Sequence, residues 1–158
     1  MIKTKIITIL AVLLMIFVVL TGCSSVKYNA KLFDNAIELI SEDFISNNLV
    51  ENLEDSSDLS AHTFIIKAQE EYDNIFIKNI DGCAVDFNNQ MVVVYTFSTI
   101  YHRDNRLINL DVKEDVLKIT YMMEKKSGVG DASQPYQRWF VVVLDKLDVS
   151  FVIFEEKK

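Results

Sequence analysis

Two histidines, His62 and His102, and two cysteines, Cys23 and Cys83, are the chain's whole stock of side chains that titrate or attack near neutral pH. No two of them stand at zinc-ligand spacing, so no metal site is expected. Asp55, Asp58, Ser60 and His62 are the residue types of a hydrolytic triad. They crowd an acidic, Asn/Ser-rich stretch, whereas a triad needs a rigidly oriented base. The run Glu51 to Asp58 lacks the D-x-[DN]-x-[DN]-G order of a calcium loop. No serine sits in G-x-S-x-G, and no Gly-rich strand-to-helix turn cradles phosphate, so no cofactor is expected. The enzymatic alternative is a small hydrolase with His62 or His102 as its base. The pattern favours a noncatalytic domain.

His102-Arg103-Asp104, followed five residues after the aspartate by Asn109, has the H-R-D-x-x-x-x-N spacing of a protein-kinase catalytic loop. The other parts of that machinery are missing: a Gly-rich phosphate loop, a V-A-I-K lysine and a following D-F-G. Asp86-Phe87-Asn88 lies upstream, in the wrong order. The stretch reads as a polar loop between two strands.

Cys23 has a more specific setting. Lys3 and Lys5 precede an uncharged apolar run from Ile6 to Leu20, and Leu20-Thr21-Gly22-Cys23 follows. The run is shorter than the roughly 20 residues a spanning helix needs. The order of charge, apolar run and small residue before cysteine resembles a bacterial lipoprotein signal peptide. That resemblance implies cleavage between Gly22 and Cys23, acylation of Cys23, and a domain held by lipid on the extracytoplasmic face of the cell membrane. Where the cell has an outer membrane, that membrane is a second destination. A diacylglyceryl anchor holds firmly, because two acyl chains bind stably where one does not.

Removing residues 1–22 takes away two lysines and no acid, so the formal charge of −7 becomes −9 over 136 residues. That length suits one domain with its own core. An acidic surface without a Lys/Arg run beyond Lys157-Lys158 argues against nucleic acid as a partner. With Cys23 acylated, Cys83 has no partner for an intrachain disulfide, and its small, apolar neighbours suit a buried thiol.

The elements that must position these residues follow from periodicity. Residues 23–30 form a lipidated tether reaching at most ~25 Å, and residues 31–158 a single domain. Phe33, Ala36, Ile37, Ile40 and Phe44 recur at helical spacing and predict a helix from about Ala30 to Ser46. A polar loop follows to Ser60, then a strand at His62 to Ile66 and a helix at Ala68 to Phe76. Met91 to Phe97 suits a central strand. Ile108 to Val112 and Leu117 to Met123 alternate around a Glu114-Asp115 hairpin turn. Tyr136 to Leu144 and Val149 to Phe154 complete the set. Strands gathered after helices predict an α+β domain, with an antiparallel sheet of about five strands packed against one or two N-terminal helices.

Val85-Asp86-Phe87, Met91 to Val94, Leu117 to Tyr121, and Pro135-Tyr136 leading into Val141-Val142-Val143 together resemble the domain of protease-complex accessory lipoproteins (PrcB-like) over about residues 64–156. Ser98 to His102 stands where that family carries a Gly-Gly-Tyr-type turn. The resemblance implies a noncatalytic binding or assembly module for an envelope protein complex. The candidate contact surface is Asp131, Tyr136, Arg138 and Trp139, since Trp, Tyr and Arg are the side chains that anchor interfaces. The other reading of Trp139 and Arg138 is that alternation turns the tryptophan into the core and the arginine to water.

Overall fold

The structure is a computed structural model that describes residues 27–34, 41, 61–80, 83–125, 128 and 130–158. The leader, Gly22 and Cys23, and most of the expected helix and acidic loop between 35 and 60 lie outside the described residues. The described chain forms β1 (Ala30–Asp34), β2 (His62–Ile66), α1 (Gln69–Ile75), β3 (Gln90–Thr99), β4 (Arg103–Lys113), β5 (Val116–Lys125), β6 (Tyr136–Asp145) and β7 (Phe151–Glu156). The strands build two sheets, one in the order β1-β6-β3-β2 and one in the order β4-β5-β7. All pairings are antiparallel except β5 with β7.

The fold is therefore mainly β, and the expected α+β class is corrected. Ala30–Asp34, assigned to a helix from its spacing, is a strand laid along β6 from Leu144 to Phe140. Its apolar residues Ala30, Leu32 and Phe33 suit either period over so short a stretch; pairing with β6 decides for the strand. The expected single antiparallel sheet is also two. Chain crossings at residues 100–102 and 146–150 carry the strands from one sheet to the other.

The layering explains which strands read as continuous apolar runs. On one face of the four-stranded sheet, Met91, Val93, Phe140, Val142 and Leu144 pack on Leu117, Ile119 and Tyr121 of the second sheet. On the other face, Ile66, Val92, Val94, Trp139, Val141 and Val143 pack on Tyr72 and Ile75 of α1, with Phe76 and Ile80 beyond it. β3 and β6 are thus buried on both faces, which removes their alternation. β5 is covered on one face only and alternates cleanly. Glu71 fixes the start of α1 by accepting from the backbone N–H groups of Lys67 and Ala68. At the other end of the helix, Tyr72 stacks on Phe76 with ring centres 4.3 Å apart.

The sandwich has two distinct ends. At the near end, Asn29 exchanges hydrogen bonds with Asp145, at 2.9 Å to its carboxylate and 3.1 Å from its N–H. Lys67 Nζ reaches the Val149 carbonyl there, and Ser150 N–H the Asp115 carbonyl. The far end carries Thr99, Arg103, Lys125 and Tyr136. The ten residues of β6 separate the two ends by roughly 30 Å at about 3.3 Å per residue.

Candidate functional site

The polar and aromatic side chains that converge are at the far end, and a bulge in β4 selects them. Leu107 pairs with Tyr121 and Asn109 with Thr120, so Ile108 is an extra residue. Beyond it Leu110 and Val112 face the core; before it Leu107 does. One inserted residue reverses the facing phase of a strand. The bulge thereby puts Arg103 and Asn105 on the inner side and Asp104 and Arg106 on the outer side.

Asn105 meets β1 and β6 there. The Asp34 carboxylate accepts from Asn105 N–H at 2.7 Å, from Asn105 Nδ2 at 2.9 Å and from Arg138 Nη2 at 3.0 and 3.1 Å. Arg138 also donates to the Arg103 carbonyl. Arg138 and Asn105 are buried, and the pair sits where β1 of one sheet adjoins β4 of the other. A charge so withdrawn from water is held only if its partners stay in place.

Beyond this node lies a more open cluster. Tyr101 N–H is held by Thr99 Oγ1 at 3.0 Å, and Ala132 N–H by the Ile100 carbonyl at 2.7 Å. These bonds fix the three-residue crossing and the chain that leads into β6. Tyr136 Oη donates to the Tyr101 carbonyl at 3.2 Å and lies 2.9 Å from His102 Nδ1, with the two rings stacked. The phenol and the imidazole set each other's roles: with Nδ1 protonated the hydroxyl accepts from it and donates to the carbonyl, and with Nδ1 bare the hydroxyl donates to the ring. The Arg103 guanidinium lies 3.9 Å from the centre of the Tyr101 ring. This cation–π contact orients the side chain without a hydrogen bond.

Of the four residues proposed as a contact surface, the far end brings together two. Asp131 is exposed and Tyr136 half-buried. Trp139 is buried against α1, and Arg138 is sealed between the sheets rather than facing water. His62, on β2 opposite Thr96, shares the face of Phe64 and Ile66 that turns to α1, so it does not join His102. Cys83 is half-buried against the same layer. Asp104 and Asn109 point outward from one extended strand, roughly 15 Å apart by strand rise, too far to share a phosphate or metal ion. Among the described residues no group of three His, Cys, Asp or Glu side chains is arranged to hold a metal ion.

Sequence reasoning missed Asp34, Tyr101, Arg103 and Asn105. Asp34 falls within the predicted helix, and the predicted polar loop from His102 to Asn109 is strand β4 from Arg103 onward. The signal that finds Arg103 and Asn105 is a phase break: Asn105 and Leu107 keep one parity, Leu110 and Val112 the other. Comparison of the chain with models of known families, with curated proteins and with solved structures gives no match.

Proposed function

We propose that the chain is a lipid-anchored, extracytoplasmic and noncatalytic binding module that presents the far end of its sandwich to a protein partner at the cell envelope. The observation that carries the reading is the placement of the two ends. The segment leading from Cys23 joins the domain at Asn29 and Ala30, and the Tyr101, His102, Arg103 and Tyr136 cluster lies at the opposite pole. With about six residues between the lipid and Asn29, the near end stays within ~20 Å of the membrane surface. The far end then stands outward, where an envelope protein can reach it. The resemblance to protease-complex accessory lipoproteins points to the same class of role.

Two measurements test this. Cys23→Ala should abolish acyl labelling and either release the protein from membranes or leave it as an uncleaved precursor. Unaltered labelling and membrane retention would refute the anchor. A photocrosslinker in place of His102 should capture envelope protein from intact cells, whereas one in place of Asn88, at the near end, should not. Equal capture from both positions removes the orientation argument.

A further inference from the structure

The chain has three arginines, and their surroundings differ. Arg138 pairs with Asp34 inside the molecule, and Arg106 pairs with Glu124 on the outer face of the second sheet. Among the described residues, Arg103 has no carboxylate. Its Nε is buried without an acceptor, its guanidinium rests on Tyr101, and the residue is half-buried. Directly across the β4–β5 pairing stands Lys125, so two cations face one another at the sheet's far end. Like charges placed opposite each other across a pair of strands are unfavourable unless an anion lies between or beside them. In a chain of formal charge −7, this is a place where positive charge has no carboxylate beside it among the described residues.

We propose that Arg103 and Lys125 receive an acidic side chain of a protein partner, with Tyr101 holding the guanidinium ready for it. A carboxylate suits the fork of Arg103, because two parallel N–H donors match its two oxygens, and Lys125 adds a point charge on the same side. The exposed Ile100 next to Tyr101 gives the partner an apolar contact at the rim. This deepens the reading of the far end as a binding face, from which it takes the class of partner.

The test uses the protein as extracted from cells into detergent micelles, labelled with ¹⁵N at arginine Nε. Three arginines give three resolvable signals, and the burial of Arg103 Nε slows its proton exchange. Capped tetraglutamate should shift the Arg103 signal saturably and leave the Arg138 signal in place; capped tetralysine should shift neither. By fluorescence anisotropy, Arg103→Gln and the exposed Lys125→Glu should each weaken tetraglutamate binding about tenfold, the factor expected for one lost charge-assisted contact. Arg106→Gln should change it less than twofold. No saturable shift at millimolar peptide, equal binding of inorganic phosphate, or an equal loss from Arg106→Gln overturns the proposal. Lys125→Glu keeps the test decisive if Arg103→Gln disturbs folding. None of these readouts depends on membrane attachment, so a failed titration is separable from a failed anchor.

Discussion

Removing the Asp34 carboxylate should destabilise the protein far more than an exposed ion pair would. Exposed pairs such as Arg106–Glu124 contribute about 0.2–1 kcal/mol. Asp34 instead accepts from the Arg138 guanidinium and from both the N–H and the side chain of Asn105. Its side chain is 16% exposed and that of Arg138 is 8% exposed. Asp34→Ala therefore takes the carboxylate from a buried guanidinium and the acceptor from a buried peptide N–H. Breaking one side of a buried pair costs about 3–5 kcal/mol. The lower end, about 3 kcal/mol, applies here, because Arg138 keeps the Arg103 carbonyl and some water reaches Asp34. That corresponds to roughly a hundredfold change in the folding equilibrium, out of a total near 5–15 kcal/mol for a domain.

The complementary substitution separates the charge from the hydrogen bonds. Arg138→Met fills similar space and leaves Asp34 with the two Asn105 donors and partial exposure, so its cost should be about 1–3 kcal/mol. The double variant should lose less than the sum, with a coupling of about 2 kcal/mol, because neither charge is then stranded. Urea denaturation measures this, with the fluorescence of Trp139, the chain's one tryptophan and itself buried, as the reporter. A loss below about 1 kcal/mol for Asp34→Ala, or additivity within about 0.5 kcal/mol, would show that the node does not join the sheets as argued.

Two further outcomes follow from the fold, beside those of the Cys23 and Arg103 experiments. Burial raises the pKa of the Tyr121, Tyr95 and Tyr72 hydroxyls. Their stabilising contribution is complete below the unfolded phenol value near 10 and is lost as pH rises through the folded values. Denaturation midpoints should fall above about pH 10; a midpoint that stays level there contradicts the burial of these groups. Glu114 occupies the hairpin turn with φ of 58°, a left-handed conformation that costs a side-chain-bearing residue about 1–2 kcal/mol. Glu114→Gly should raise stability by roughly 0.5–1 kcal/mol, since glycine's greater unfolded entropy offsets part of that relief; an unchanged or lowered urea midpoint sinks the argument.

Much of the architecture could be read from residues that see one environment. Leu117, Ile119 and Tyr121 alternate with Lys118 and Thr120 because β5 has one wet face. The apolar runs of β3 and β6 marked strands covered on both sides. What escaped was decided by long-range pairing. Ala30–Asp34 became a strand because β6 offered its edge 110 residues later in the chain, a contact that local spacing does not encode. The division into two sheets likewise depends on which strands find each other, and a period-2 pattern is the same in either arrangement.

The bulge at Ile108 is the point at which local and long-range information meet. In an unbulged β4, the parity set by Leu110 and Val112 would turn Asp104 and Arg106 inward and Arg103 and Asn105 to water. Asp104 would then bring a second carboxylate toward Asp34 in place of the Asn105 donors, and the node would repel instead of bind. Arg103 would lose its seat on Tyr101 as well. One extra residue thus carries both the joint between the sheets and the placement of Arg103 at the far end. It ties the stability of the sandwich to the presentation of its candidate binding face, since whatever holds Asn105 on Asp34 also holds Arg103, two residues away, at the rim.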